Sequence, residues 1–347
     1  MYSESDLDTA VKAGAISAEA AQAFRAHVAR ERHAPAVDEE HFRLLTGFND
    51  IFVSIALVLL LVAVGQIGDT IATYLSGAFV AAAAWMLAIV FTARRRMALP
   101  SIILLGAFVG GVAFSIATTL TTLVLSAAPN SGDERTTAIV TALAGLGAAA
   151  AAWLHWRRFM VPITVAAGAC AVAALVLGTV LAIAPGLQAA MWPLLFVAGL
   201  AMFALAMRWD LSDPARRTRR ADVAFWLHLA AAPMIAHPVF QLLGVFGENS
   251  GIDTALAALV LYAVFGFVAL AVDRRALLVS SLVYVLFAMG SLFRTAGAVE
   301  LSAALTALVI GAALLSLSVF WHPMRRRVVG LLGKAGRRLP PVEMAAA

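Results

Sequence analysis

Charge is scarce in this chain. Of its 347 residues 13% are charged and 62% are hydrophobic, whereas soluble domains carry about 25% charged and about 45–50% apolar residues. A globular core cannot hold that much apolar surface, so lipid must be the solvent for much of the chain, in keeping with a mean hydropathy of +0.91. Cysteine is nearly absent. The single one, Cys170, excludes an intrachain disulfide and reads as a small core residue rather than a catalytic thiol. Enzyme signatures are missing too. There is no His-Glu-x-x-His zinc helix and no Gly-x-Ser-x-Gly elbow. Gly333-Lys334 is followed by Ala335 rather than the Ser or Thr of a phosphate loop. No aspartate falls near a midplane, and the two deep histidines are too few for a three-His zinc site. No catalytic residue, metal ligand or cofactor is expected.

What the chain does have is apolar runs. Ten of them, at about 48–68, 71–93, 99–126, 136–154, 159–184, 188–208, 221–245, 251–271, 275–293 and 299–321, are each near the roughly 20 residues that cross a hydrocarbon core. The expected fold is all-α: a polytopic transmembrane helical bundle of about ten spans.

Sidedness follows from the basic residues. Alternate loops and both ends hold 23 of the 25 Lys and Arg, leaving only Arg135 and Arg294 on the other side. Positive charge stays cytoplasmic, which puts N and C termini inside, in a bacterial inner membrane. In a Cys170→Ala background, single cysteines at Asn130 or Asn249 should therefore react with an impermeant thiol reagent in sealed cells. Cysteines at Ser5 or Ala335 should stay protected, and labelling at Ala335 would refute the ten-span arrangement.

Three regions result: a cytoplasmic helical tail (1–46), the transmembrane domain (47–323) and a basic C-terminal segment (324–347). The tail carries eight acidic and five basic residues, has no apolar run for a signal peptide, and does not look like a nucleic-acid binder. Ser3 and Ser17 are expected caps for two short helices, with Gly14 as a stop. Ala21, Phe24 and Val28 share a face of the second. The C-terminal segment, with Arg325, Arg326, Arg327, Lys334, Arg337 and Arg338, is suited to anionic lipid on the inner leaflet, or serves simply as the last stop-transfer anchor.

The seventh span stands apart. It holds the deep prolines Pro233 and Pro238 and the deep histidines His228 and His237. Spacings of three and four put Asp222, Trp226, Ala230, Pro233, His237, Gln241 and Gly244 on one face. At ~1.5 Å per residue, Pro233 lies ~16 Å and His237 ~22 Å from Asp222. His228, nine positions before His237, falls on the opposite face. Proline removes a backbone donor and crowds the preceding turn, so a kink or opening is expected near the midplane. Ionisable groups and a broken helix inside a membrane mark substrate paths; the plainer alternative is a neutral histidine bonded to a neighbouring helix. Asp222, His228, Pro233, His237 and Gln241 are the path candidates, with Asp50 at the cytoplasmic mouth of span one.

Elsewhere the bland reading prevails. Asn49-Asp50 is suited to capping a helix. Arg294 and Glu300 are expected to pair structurally. Gly106-x-x-x-Gly110 with Ser115, Thr118, Thr119, Thr121 and Thr122 suggests a packing helix. Asp50-Ile-Phe and Asp222-Val-Ala-Phe open spans one and seven alike, a weak hint of a same-direction repeat.

Gly14-Ala-Ile-Ser17, Leu45-Thr-Gly-Phe-Asn-Asp50 and Trp321-His-Pro323 give the chain a layout that resembles a class of bacterial polytopic membrane proteins of unassigned function. The resemblance implies location and fold type only. Ten short-looped spans are also similar in layout to drug/metabolite-type transporters, which have two inverted five-span halves. The functional expectation is a secondary transporter or permease for a small solute or proton, with span seven lining the path. The alternatives are a scaffold or sensor acting through its cytoplasmic tails and, third, an intramembrane enzyme.

Overall fold

The computed structural model describes residues 4–32, 48–127, 133–213, 218–244, 252–295, 302–333 and 339. The chain divides into two compact units, Met1–Arg43 and Leu44–Ala347. In the first, α1 (Glu4–Lys12) and α2 (Ala18–Arg32) form a helical hairpin. Gly14 takes a left-handed φ of 70° at the stop, and the Ser17 hydroxyl accepts from the Ala20 N–H at 3.1 Å, a regular N-cap. An Arg25–Asp8 ion pair at 2.8 Å ties the helices together. Ala21 is buried but Phe24 is exposed, so the expected apolar face is covered only in part. Ser3, Glu300 and the basic residues from Lys334 to Arg338 lie outside the described residues.

The second unit is an α-helical bundle with no strand among the described residues. Its long helices are α3 (Phe48–Ile71), α4 (Thr73–Ala88, continued by a π-helical turn Ile89–Arg94), α5 (Ala98–Ala127), α6 (Glu134–Phe159), α7 (Ile163–Ile183), α8 (Met191–Leu211, preceded by a 3₁₀ turn Pro185–Ala190), α9 (Arg219–Leu242), α10 (Ile252–Val272), α11 (Ala276–Thr295) and α12 (Ser302–Val319), followed by α13 (Trp321–Leu331). Each expected apolar run falls on one of the ten helices α3 to α12. Among the described residues seven of them, α3 to α9, are long and apolar enough to cross a membrane, or eight spans if α12 and α13, bent by 76°, count as one. Their outer surfaces settle the solvent. Phe52, Leu59, Ile183, Leu315 and Val319 are each at least 67% exposed, an apolar surface that water does not tolerate on this scale. The chain is a multi-pass membrane protein.

Local chemistry explains the helix ends. Asp133 caps α6, its carboxylate accepting from the Thr136 N–H at 2.8 Å. Hydrogen bonds from the Thr136 side chain and backbone hold that carboxyl below the usual carboxylate range. Asp50 sits in the first turn of α3, one residue or more inside the helix rather than at its cap. There its charge suits the helix dipole. Three turns, after α4, α6 and α10, close on left-handed residues that are not glycine: Arg96, Met160 and Asp273.

Packing falls into two halves. The first five long helices bury one apolar cluster, including Leu57, Leu61, Ala84, Leu104, Phe108 and Ala152. The last five bury others around Leu227, Phe240, Phe265 and Ala288. The halves meet where α7 packs on α9. In the first half, α4 and α5 touch backbone to backbone through Gly77 and Gly111. Here a sequence expectation needs correcting. Gly106 and Gly110 face open space, and Gly111, not that pair, makes the close contact. The Ser115 hydroxyl does reach across, donating to the Tyr74 carbonyl at 2.8 Å. Cys170, expected in a core, is exposed on α7.

Candidate functional site

Helix α9 is the least apolar of the seven spans and also the most enclosed. Of its apolar window 56% is buried inside the bundle, against 17–39% for the others. Its buried side carries Val223, Leu227, Ala231, Ala232, Ile235, Ala236 and Phe240. The residues spaced by three and four from Asp222 to Gly244 are without exception half-buried or exposed. The face marked out in sequence thus lies outside the buried core, as do Phe225, Leu229, Met234, Val239 and Leu242.

His237 is the centre of that face. Its Nδ1 lies 3.0 Å from the Tyr284 hydroxyl of α11, and its Nε2 lies 3.5 Å from Nε2 of Gln241 one turn on. The Trp192 ring, from the first turn of α8, meets the imidazole edge to face at 5.1 Å. Tyr284 is itself held by a parallel stack on Phe240, 4.6 Å between centroids. Three helices thus converge on one imidazole. In the neutral ring one nitrogen donates and the other accepts. The Tyr284 hydroxyl and the Gln241 amide can each donate or accept, so the two contacts suit either neutral tautomer.

The other candidates are placed apart from it. His228 is fully buried on the opposite side, its ring bonded to the Ala224 carbonyl at 2.8 Å and met edge-on by Phe203. Asp222 is half-buried in the first turn of α9, beside the Thr218 cap, whose hydroxyl donates to Asp213 at 2.6 Å. Asp50 is buried on α3, which packs on α4 and α5. Pro233 is exposed on the open face, while Pro238 is buried. The expected opening at the prolines takes a different form, because α9 runs unbroken through both. Pro238 leaves the Met234 carbonyl without its intrahelical donor, and α8 closes over that carbonyl. A Cβ on Gly199 would stand 2.9 Å from the Met234 oxygen, an approach only glycine permits.

Compared with known proteins, the chain matches no family model, no curated sequence and no solved structure. The likeness to a class of bacterial membrane proteins rests on the short motifs alone, and the site is read from its own geometry.

Three arrangements were not anticipated from the sequence. At one end of the second half Arg274, 2% exposed, forks onto Asp210, 1% exposed, with contacts of 2.6 and 3.2 Å. It also donates to the Ala221 carbonyl of α9 at 3.4 Å. Beside it Asp273 accepts from the Trp321 indole at 2.8 Å and pairs with Arg325 at 3.3 Å, while Arg275 lies over the same indole. Trp321 is a buried joint. In the first half His155 is fully buried among Trp85, Phe108 and Phe159, its Nδ1 3.2 Å from the Thr164 hydroxyl. It escaped notice because α6 continues to Phe159, beyond the expected end at 154. Among the described residues no group of three or more His, Cys, Asp or Glu is arranged to hold a metal.

Proposed function

We propose that the chain is a transporter or permease for a small polar solute or a proton, in a bacterial inner membrane, with the open face of α9 lining its path. One observation carries the reading: the most enclosed span keeps the stripe from Asp222 to Gly244 out of the apolar core, and α8 and α11 bring Trp192 and Tyr284 to the same His237. A membrane helix that served only for packing would bury its polar face and turn its apolar one to lipid. The buried pairs at Asp210–Arg274 and Asp273–Arg325 tie the inner ends of α8, the α10–α11 turn and α13 together. Such ties suit a path closed on the cytoplasmic side, with His237 beyond the closure.

Solvent access along α9 tests this. In the Cys170→Ala background, cysteines at Ala230, His237 and Gln241 should react with small hydrophilic thiol reagents. Cysteines at Ala231, Ile235 and Phe240, on the buried side, should react at least tenfold more slowly. Reaction of the first three with membrane-soluble reagents alone would place the stripe against lipid and remove the basis for a path.

A further inference from the structure

The end of the described chain presents an exposed surface of unusual make-up among the described residues. Helix α13 leaves α12 at an angle of 76°. A helix that turns so sharply after a span runs close to the plane of the bilayer rather than away from it. One stripe of α13, Trp321, Arg325 and Val328, faces the bundle, with Trp321 and Arg325 buried and held by Asp273. A second stripe, spaced by three and four, comprises Phe320, Met324, Arg327 and Leu331. Its apolar members are 55%, 38% and 81% exposed, and Arg327 is exposed between them. The remaining side carries His322 and Arg326, both exposed.

We propose that α13 is an interfacial helix that binds anionic lipid headgroups of the cytoplasmic leaflet, and that Asp273 clamps it in place. An apolar stripe interrupted by arginine, beside a cationic polar side, fits the boundary between acyl chains and headgroups. Met324 and Leu331 enter the acyl region while Arg327 extends to phosphate, its methylene stem lying along the apolar stripe. The chain beyond α13 adds Lys334, Arg337 and Arg338, so charge complementarity to an acidic leaflet continues past the helix. Arg325 takes no part in lipid binding. It is spent on Asp273, which fixes how α13 rolls about its axis and so which stripe meets the membrane. The clamp also gives the lipid surface a mechanical route inward, because Asp273 is the direct neighbour of Arg274 and its partner Asp210 on α8.

The test uses the full-length protein with Cys170→Ala, reconstituted in phosphatidylcholine vesicles with and without phosphatidylglycerol. An environment-sensitive fluorophore is placed at Leu331→Cys or His322→Cys. In vesicles containing phosphatidylglycerol, nitroxides attached just below the lipid headgroup should quench the Leu331 label, and aqueous iodide should reach the His322 label. The double variant Arg326→Gln/Arg327→Gln, confined to exposed positions, should lose on the order of ten- to thirty-fold in preference for spin-labelled phosphatidylglycerol over phosphatidylcholine. Free access of iodide to the Leu331 label would overturn the proposal. So would shielding that grows with the protein-to-lipid ratio, which would make the stripe a contact between copies, or an unchanged lipid preference in the double variant.

Discussion

Asp210→Ala is expected to destabilise the protein by about 3–5 kcal/mol, read as a fall in unfolding temperature in detergent or nanodiscs. The carboxylate accepts two N–H groups from Arg274, and both side chains are at most 2% exposed. Removing it leaves a guanidinium buried with no counter-charge, and the uncompensated charge causes the loss rather than the missing attraction. The double variant Asp210→Leu/Arg274→Met is therefore expected to recover most of the stability, since a packed apolar pair removes both charges at once. If the single variant unfolds at the wild-type temperature, the pair does not hold these helices together. The double variant separates structure from function as well. If the pair closes a path on the cytoplasmic side, a stable apolar substitute should still change access to His237 from the inside.

Gly77→Val should be nearly as damaging, by roughly 1–3 kcal/mol or more. A Cβ at Gly77 would lie 2.7 Å from the Ser115 nitrogen, and one at Gly111 would lie 2.6 Å from the Gly77 carbonyl oxygen. These obstacles are backbone atoms and cannot rotate away. α4 and α5 must separate, and the Ser115–Tyr74 hydrogen bond across them is lost. Gly106→Val and Gly110→Val supply the control. Both positions face open space, so changes within about 0.5 kcal/mol are expected there. Thermal unfolding of the three variants side by side decides the matter. Equal losses at all three would mean that helix propensity, not close approach, governs this helix.

The contrast between those glycines shows how far the sequence could be read. Ten apolar runs appear as ten helices because lipid demands long uninterrupted segments with every backbone group bonded internally. Ends were less legible: α6 extends five residues past its expected limit because Trp153, His155 and Trp156 are tolerated in a helix near the headgroups. The stripe on α9 was visible because proline and histidine are conspicuous in an apolar run, and helical geometry fixes which residues share a face. What meets that stripe was not visible. Tyr284 is 47 residues from His237, and Trp192 carried no sign of its partner. The same holds for Asp210 and Arg274, 64 residues apart, where Arg274 was counted only as a charge that orients the membrane. Periodicity identifies a face; the identity of its partner depends on tertiary packing. Gly106-x-x-x-Gly110 matched a motif of small residues, but which side of α5 meets α4 is set by the whole interface, and Gly111 lies on it. Cys170 fails for the same reason, exposed against expectation.

The division of the bundle bears on how it is made. Every residue of the first apolar cluster, from Leu57 to Ala171, belongs to α3 to α7. Those helices precede α8 in the chain, so their contacts require nothing that is synthesised later. The second cluster differs, because it draws Ala166 from α7 together with residues from Met202 to Ala288. The later helices thus pack on a helix that the first cluster already uses. α7 serves as the template, presenting Ala171 to the part completed first and Ala166 to the part still being made.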